Sequence, residues 1–200
     1  MKTSSAFVIC VSLALAAVNF SANAAVFTNQ SSGITAPTYQ IDFAGQAAGA
    51  DVSNAYVSQS ITFFGLNATN DYGLNFVPTT APAAINFGTN GTNPFGFFFA
   101  APVTDVSFYL VTNGAGTLIT SYLNSIQVES FSVGAYNGAN SFQGFTNTNI
   151  DLVTFQVGGD GLALIDNVDV NRNNVPEPAS LALMGLGLVA VGAAKRRRKA

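Results

Sequence analysis

The central part of this chain predicts an all-β fold, an antiparallel β-sandwich with a jelly roll as the favoured topology. Three observations carry that expectation. Short runs of Val, Ile, Phe, Tyr and Thr recur between turn residues, and no stretch sustains a helical 3.6-residue period. Turn dipeptides punctuate the runs: Asn90-Gly91, Asn113-Gly114 and Asn137-Gly138. Fifteen Phe and six Tyr between residues 25 and 174 supply enough apolar surface to bury a core, which excludes a disordered chain.

Strands are expected over Thr38–Phe43, Val57–Phe64, Gly73–Val77, Ala84–Phe87, Phe95–Ala100, Thr104–Thr112, Gly116–Tyr122, Ile126–Tyr136, Leu152–Val157 and Leu162–Val170. Alternation assigns faces. Val106, Phe108 and Leu110 point one way with Asp105, Ser107 and Tyr109 opposite, the pattern of a half-buried strand. FGFFFA (95–100) is apolar on both faces and reads as a central, covered strand. In Ile126–Val133 the phase slips, and a bulge near Glu129-Ser130 would return Ile126, Val128, Phe131 and Val133 to one face. Gly158-Gly159-Asp160-Gly161 reads as the turn of a hairpin.

The two ends of the chain differ from its middle. Lys2, the apolar run Ala6 to Val18 and the small residues Ala22-Asn23-Ala24 form a secretory signal peptide over 1–24, with cleavage expected between Ala24 and Ala25. Its partners are the Sec translocon and signal peptidase. Cys10 is the sole cysteine and lies inside this segment, so the exported chain has no thiol chemistry. At the other end, residues 179–194 are uncharged, and Lys195, Arg196, Arg197, Arg198 and Lys199 follow. Sixteen helical residues reach about 24 Å, short of a hydrocarbon core of roughly 30 Å. The segment therefore reads as a transient transmembrane helix, with the basic cluster as a cytoplasmic stop. A nucleic-acid-binding tail is excluded by its position behind a membrane segment in a chain with an export signal. Before the helix, Pro176 and Pro178 hold the chain around Glu177 extended, the conformation a protease threads into its active site.

VPEP, the apolar helix and KRRRK, in that order over 175–199, closely resemble the PEP-CTERM sorting signal of Gram-negative bacteria. The resemblance implies recognition of Pro176, Glu177 and Pro178 by a membrane-embedded exosortase, cleavage near the motif, and release to the cell surface or extracellular matrix. It also implies a cell that makes exopolysaccharide.

Between the ends, a domain over 25–174 carries one basic residue, Arg172, against nine acids, for a net charge of −8. Such a domain repels nucleic acid and anionic lipid. It has no His, Cys, Lys or Trp, which removes Ser-His-Asp and Cys-His nucleophiles, histidine or thiolate metal sites and Schiff-base lysines. Carboxylates, hydroxyls and amides remain, suited to hard cations or to glycoside hydrolysis. No acid pair nominates itself for the latter, which makes a glycosidase the weaker alternative to a non-catalytic surface protein.

Along LALIDNVDV, alternation places Leu162, Leu164, Asp166, Val168 and Val170 on one face, with Ile165, Asn167 and Asp169 on the other. An inward Asp166 needs partners. Either backbone N–H groups satisfy it, or a structural calcium does, with Asp42 on an early strand as the second ligand if the terminal strands pair. Tyr72, Tyr109 and Tyr136, if exposed, would offer a stacking surface for a carbohydrate-binding module directed at polysaccharide.

Overall fold

The computed structural model describes residues 25–70, 82–88, 91–113, 116–135, 141–159 and 161–172. The expected signal helix, the helix over 179–194, the sorting motif and the strand Gly73–Val77 lie outside them. The described residues form twelve strands and one 3-10 turn, Val57–Gln59, with no α-helix. No helix among them is long and apolar enough to cross a membrane.

The strands build two antiparallel sheets. One contains β1 (Ala25–Gln30), β10 (Phe142–Thr146), β7 (Asp105–Thr112), β12 (Ala163–Asn171), β5 (Ala83–Ile85) and β4 (Asn67–Thr69), in that order. Its seventh strand, β2 (Tyr39–Ile41), pairs with Val168–Val170 of β12, beside β5, which takes Leu164 and Ile165. The other sheet orders β3 (Ile61–Phe64), β6 (Phe95–Val103), β11 (Ile150–Val157), β8 (Thr117–Leu123) and β9 (Ile126–Val133). From β6 to β12 the chain changes sheet at every step except the β8–β9 hairpin.

The sheets meet face to face through phenylalanine. Phe95 stacks on Phe155 at 4.9 Å within the five-stranded sheet. Phe108 of the other sheet meets Phe155 edge-on at 4.9 Å and Phe97 at 6.1 Å, and Phe131 meets Phe145 at 5.3 Å. Edge-to-face pairs of this kind add to area burial, and truncating one such ring costs about 3–5 kcal/mol.

A second, smaller cluster lies on the outer face of the seven-stranded sheet: Ala83, Tyr109, Val111, Phe142 and Leu164, with Phe27 packed against them. Strand β7 is thus buried on both faces. The half-buried reading of Thr104–Thr112 is corrected, because Ser107 and Tyr109 are covered by the β1–β2 connection and its neighbours.

Other expectations change for equally local reasons. Residues 158–161 do not close a hairpin, since β11 and β12 belong to different sheets. Only the second half of Val57–Phe64 is strand, because Ser60, at φ 61°, breaks it from the 3-10 turn. The covered FGFFFA strand is flanked by β3 and β11, yet Phe98 is 44% exposed on its outer face. The β9 bulge sits at Val128, where Gln127 and Glu129 oppose consecutive residues of β8, and Ile126 stays 72% exposed instead of joining the core. Strands β1, β4 and β10 were not anticipated.

Ala25, the first residue of β1, pairs with Thr146, and Asn171, the last of β12, pairs with Asp105. The Asp105 carboxylate accepts the Asn147 N–H at 2.9 Å. Both ends of the described domain therefore leave from one pole of the sandwich.

Candidate functional site

The acids of β12 occupy the most distinctive position in the domain. Its register against β7 shifts between Asp166 and Asp169, with Asn167 in a left-handed conformation at φ 43°. This bulge breaks the alternation read from the sequence. Leu164 falls in the outer cluster, while Ile165, Val168 and Val170 fall in the central core, so the expected single face of Leu164, Asp166, Val168 and Val170 is corrected.

Asp166 is fully buried and stands opposite Tyr109. Its Oδ1 accepts the Asn167 N–H at 2.8 Å. Asp42 follows β2, and its Oδ1 accepts the Ala44 N–H at 2.9 Å. Pairing of β2 with β12 brings the two acids to the same neighbourhood, where both act on Tyr56: burial raises the phenol against the lowering effect of Gln46, and the carboxylates of Asp42 and Asp166 add to the rise. Among the described residues no group of three or more His, Cys, Asp or Glu side chains comes together to hold a metal ion.

Asp169, expected on the open side of the strand, is the acid that sequence reasoning missed. It is 3% exposed. Gln40 Nε2 donates to its Oδ1 at 2.6 Å, and Ser107 Oγ donates to its Oδ2 at 3.2 Å. The Ser107 oxygen in turn accepts the Ile34 N–H at 2.9 Å. Burial pushes the Asp169 carboxyl above the usual carboxylate value, against the lowering effect of Gln40 and Ser107. Gly33 closes the arrangement, since a Cβ there would overlap Asp169 Oδ2. The chain from Ser31 to Pro37 thus straps the outer face of the seven-stranded sheet. A shallow cavity of about 520 Å³ opens on one side of it, with Gln40, Phe142 and Asn167 in its wall. Another of about 450 Å³ opens on the other, toward Asp105 and Asn171.

Arg172, directly after β12, donates from Nη2 to the Gln59 carbonyl at 3.0 Å and lies 5.2 Å over the Tyr39 ring. Of the aromatics expected at the surface, Tyr109 is buried at 5% exposure, and Tyr72 and Tyr136 lie outside the described residues. Among the described residues, the exposed rings are Phe98 and Phe87.

Beyond the last described residue, Pro176, Glu177 and Pro178 precede the apolar segment and the basic cluster. Residues 174–198 carry the PEP-CTERM protein-sorting motif. No curated protein matches the chain. Among solved structures, it is similar to a Paenibacillus cycloisomaltooligosaccharide glucanotransferase complexed with cycloisomaltoheptaose, at 10% identity and a TM-score of 0.35. That likeness covers 72% of this chain and 19% of the other, and at such a score it carries no argument.

Proposed function

We propose that this is an exported, non-catalytic protein of the cell surface or extracellular matrix, tethered to the inner membrane and then processed by an exosortase-like enzyme. The PEP-CTERM motif over 174–198 carries the reading. Export through the Sec translocon and cleavage by signal peptidase at Ala24-Ala25 precede sorting. The sandwich is read as a jelly roll, supported by the orders β2–β12–β7–β10 and β6–β11–β8–β9.

A carboxylate glycosidase is the weaker reading. It needs two acids flanking a groove, one of them held protonated. Asp169 has the raised carboxyl, but it lies under the Gly33 strap with its oxygens engaged by Gln40 and Ser107.

The test is processing of the full chain in a bacterium with an exosortase-like enzyme. Replacing Pro176 and Pro178 with alanine leaves the protein in the membrane with its C-terminal segment attached. Normal release of that double variant overturns the assignment. Deleting Lys195–Lys199 lets the apolar segment slip through and releases unprocessed chain.

A further inference from the structure

The two outer faces of the sandwich are finished differently. The seven-stranded sheet is covered by its strap, with Phe27 and the Tyr109–Phe142 pair packed against it. Among the described residues, none straps the outer face of the five-stranded sheet in this way. There the ladder aligns Thr62, Phe98, Leu152, Tyr122 and Gln127 in one row across all five strands. A parallel row runs Phe64, Gly96, Thr154, Thr120 and Ser130. Gly96 leaves room for the Phe64 ring, whose Cζ lies 3.0 Å from where a Cβ would sit, so the ring lies along the sheet. Leu118, 44% exposed, extends the face between Gln156 and Ser132.

None of these outward positions is charged, in a domain with nine acids. Asp151, at the β11 bulge, turns to the rim and accepts the Asn124 N–H at 2.8 Å. The face therefore combines one exposed ring, Phe98, and the half-buried Phe64 and Tyr122 with hydroxyls and amides, and excludes charge. We propose that it binds a neutral polysaccharide chain, stacked across Phe98 and Tyr122. These rings stand two strands apart, about 9.5 Å, close to the length of a disaccharide unit. A sugar ring offers an apolar face for stacking and a rim of hydroxyls, which Thr62 and Gln127 meet at the two ends of the row. The charge of the domain excludes acidic polymers. A protein partner, or a second copy of this chain, would instead take the half-buried hydroxyls of Thr62 and Thr154 out of water in a dry interface. The proposal rests on the export reading only for where the polymer is met.

The test is native affinity electrophoresis of the full chain, held in a mild non-ionic detergent. The gels contain hydroxyethyl cellulose, mixed-linkage β-glucan, galactomannan or polygalacturonate. The chain is retarded by at least one neutral polymer and not by polygalacturonate. Phe98→Ala and Tyr122→Ala each weaken retardation by on the order of tenfold, and Phe98→Trp retains it. Phe87→Ala, exposed just after β5, has no effect. Three results overturn the proposal: no retardation by any neutral polymer, retardation indifferent to both Phe98→Ala and Tyr122→Ala, or a Phe98-dependent dimer without retardation. Because the purified chain is assayed, failure here leaves processing of the proline variants unaffected, and failure of processing leaves retardation intact.

Discussion

Gly33 lies against the carboxylate of Asp169, and the space between them is too small for a methyl group. The contact seals a buried acid with backbone instead of with a counter-charge. A side chain at Gly33 would also press on Ser107 Oγ, the atom that ties the strap to β7 through the Ile34 N–H.

Gly33→Ala is therefore expected to destabilise the domain by about 1–3 kcal/mol, the usual cost of overpacking a site that cannot give way. Gly134→Ala, with nothing within 4 Å of the added atom and no left-handed backbone, serves as the neutral control. Urea unfolding of the full chain measures both. Equal stability of the two variants would show that the strap lifts freely from Asp169.

The pH dependence of Asp169 follows from the sign of its shift. Its carboxyl is held above the usual 3.8 by burial, so the folded state binds its proton more tightly than the unfolded chain. Its contribution to stability is fully present below that ordinary value and is lost as pH rises through the raised one. Asp169→Asn should remove this slope, leaving stability in mildly acidic buffer less dependent on pH. Urea midpoints across the acid range, compared between wild type and variant, make the measurement. Parallel curves for the two proteins would contradict the assignment.

Much of the architecture was legible because strand period and turn chemistry act locally. Val106, Phe108 and Leu110 do face the central core, and nine of the expected strands overlap strands of the ladder, the tenth, Gly73–Val77, lying outside the described residues. What escaped depended on tertiary facts. The strand β1 contains Asn29 at φ 55° and shifts its register between Phe27 and Gln30, so no alternation announces it. Strand β10 carries Gly144 at its middle, where a Cβ would press on the Val106 carbonyl and the Phe27 ring, so its apolar pattern is broken in the sequence. The misreading of β12 has one origin: the bulge at Asn167 shifts the phase between Asp166 and Asp169, and an evenly alternating sequence gives no sign of an inserted residue. The sorting motif was legible in full because it is a linear signal that needs no fold.

Asp166 and Asp42 remain as the pair that would hold calcium, and both carboxylates raise the Tyr56 phenol. A fully buried carboxylate needs donors or a cation, and these alternatives respond differently to the same change. If calcium binds there, it binds only the folded state and raises the melting temperature by mass action. Asp166→Asn then abolishes the calcium dependence while leaving the metal-free domain nearly as stable. If donors suffice, as the Asn167 N–H at 2.8 Å begins to provide, chelation changes nothing. Asp166→Asn then replaces an acceptor by a donor that faces the Asn167 N–H or leaves it with a weaker partner, at a cost of about 1–3 kcal/mol with or without calcium. The expected outcome is the second. Thermal melts of the full chain and of Asp166→Asn, each with calcium and with chelator, decide it, and a calcium-dependent rise confined to the wild type would assign the pair to a metal.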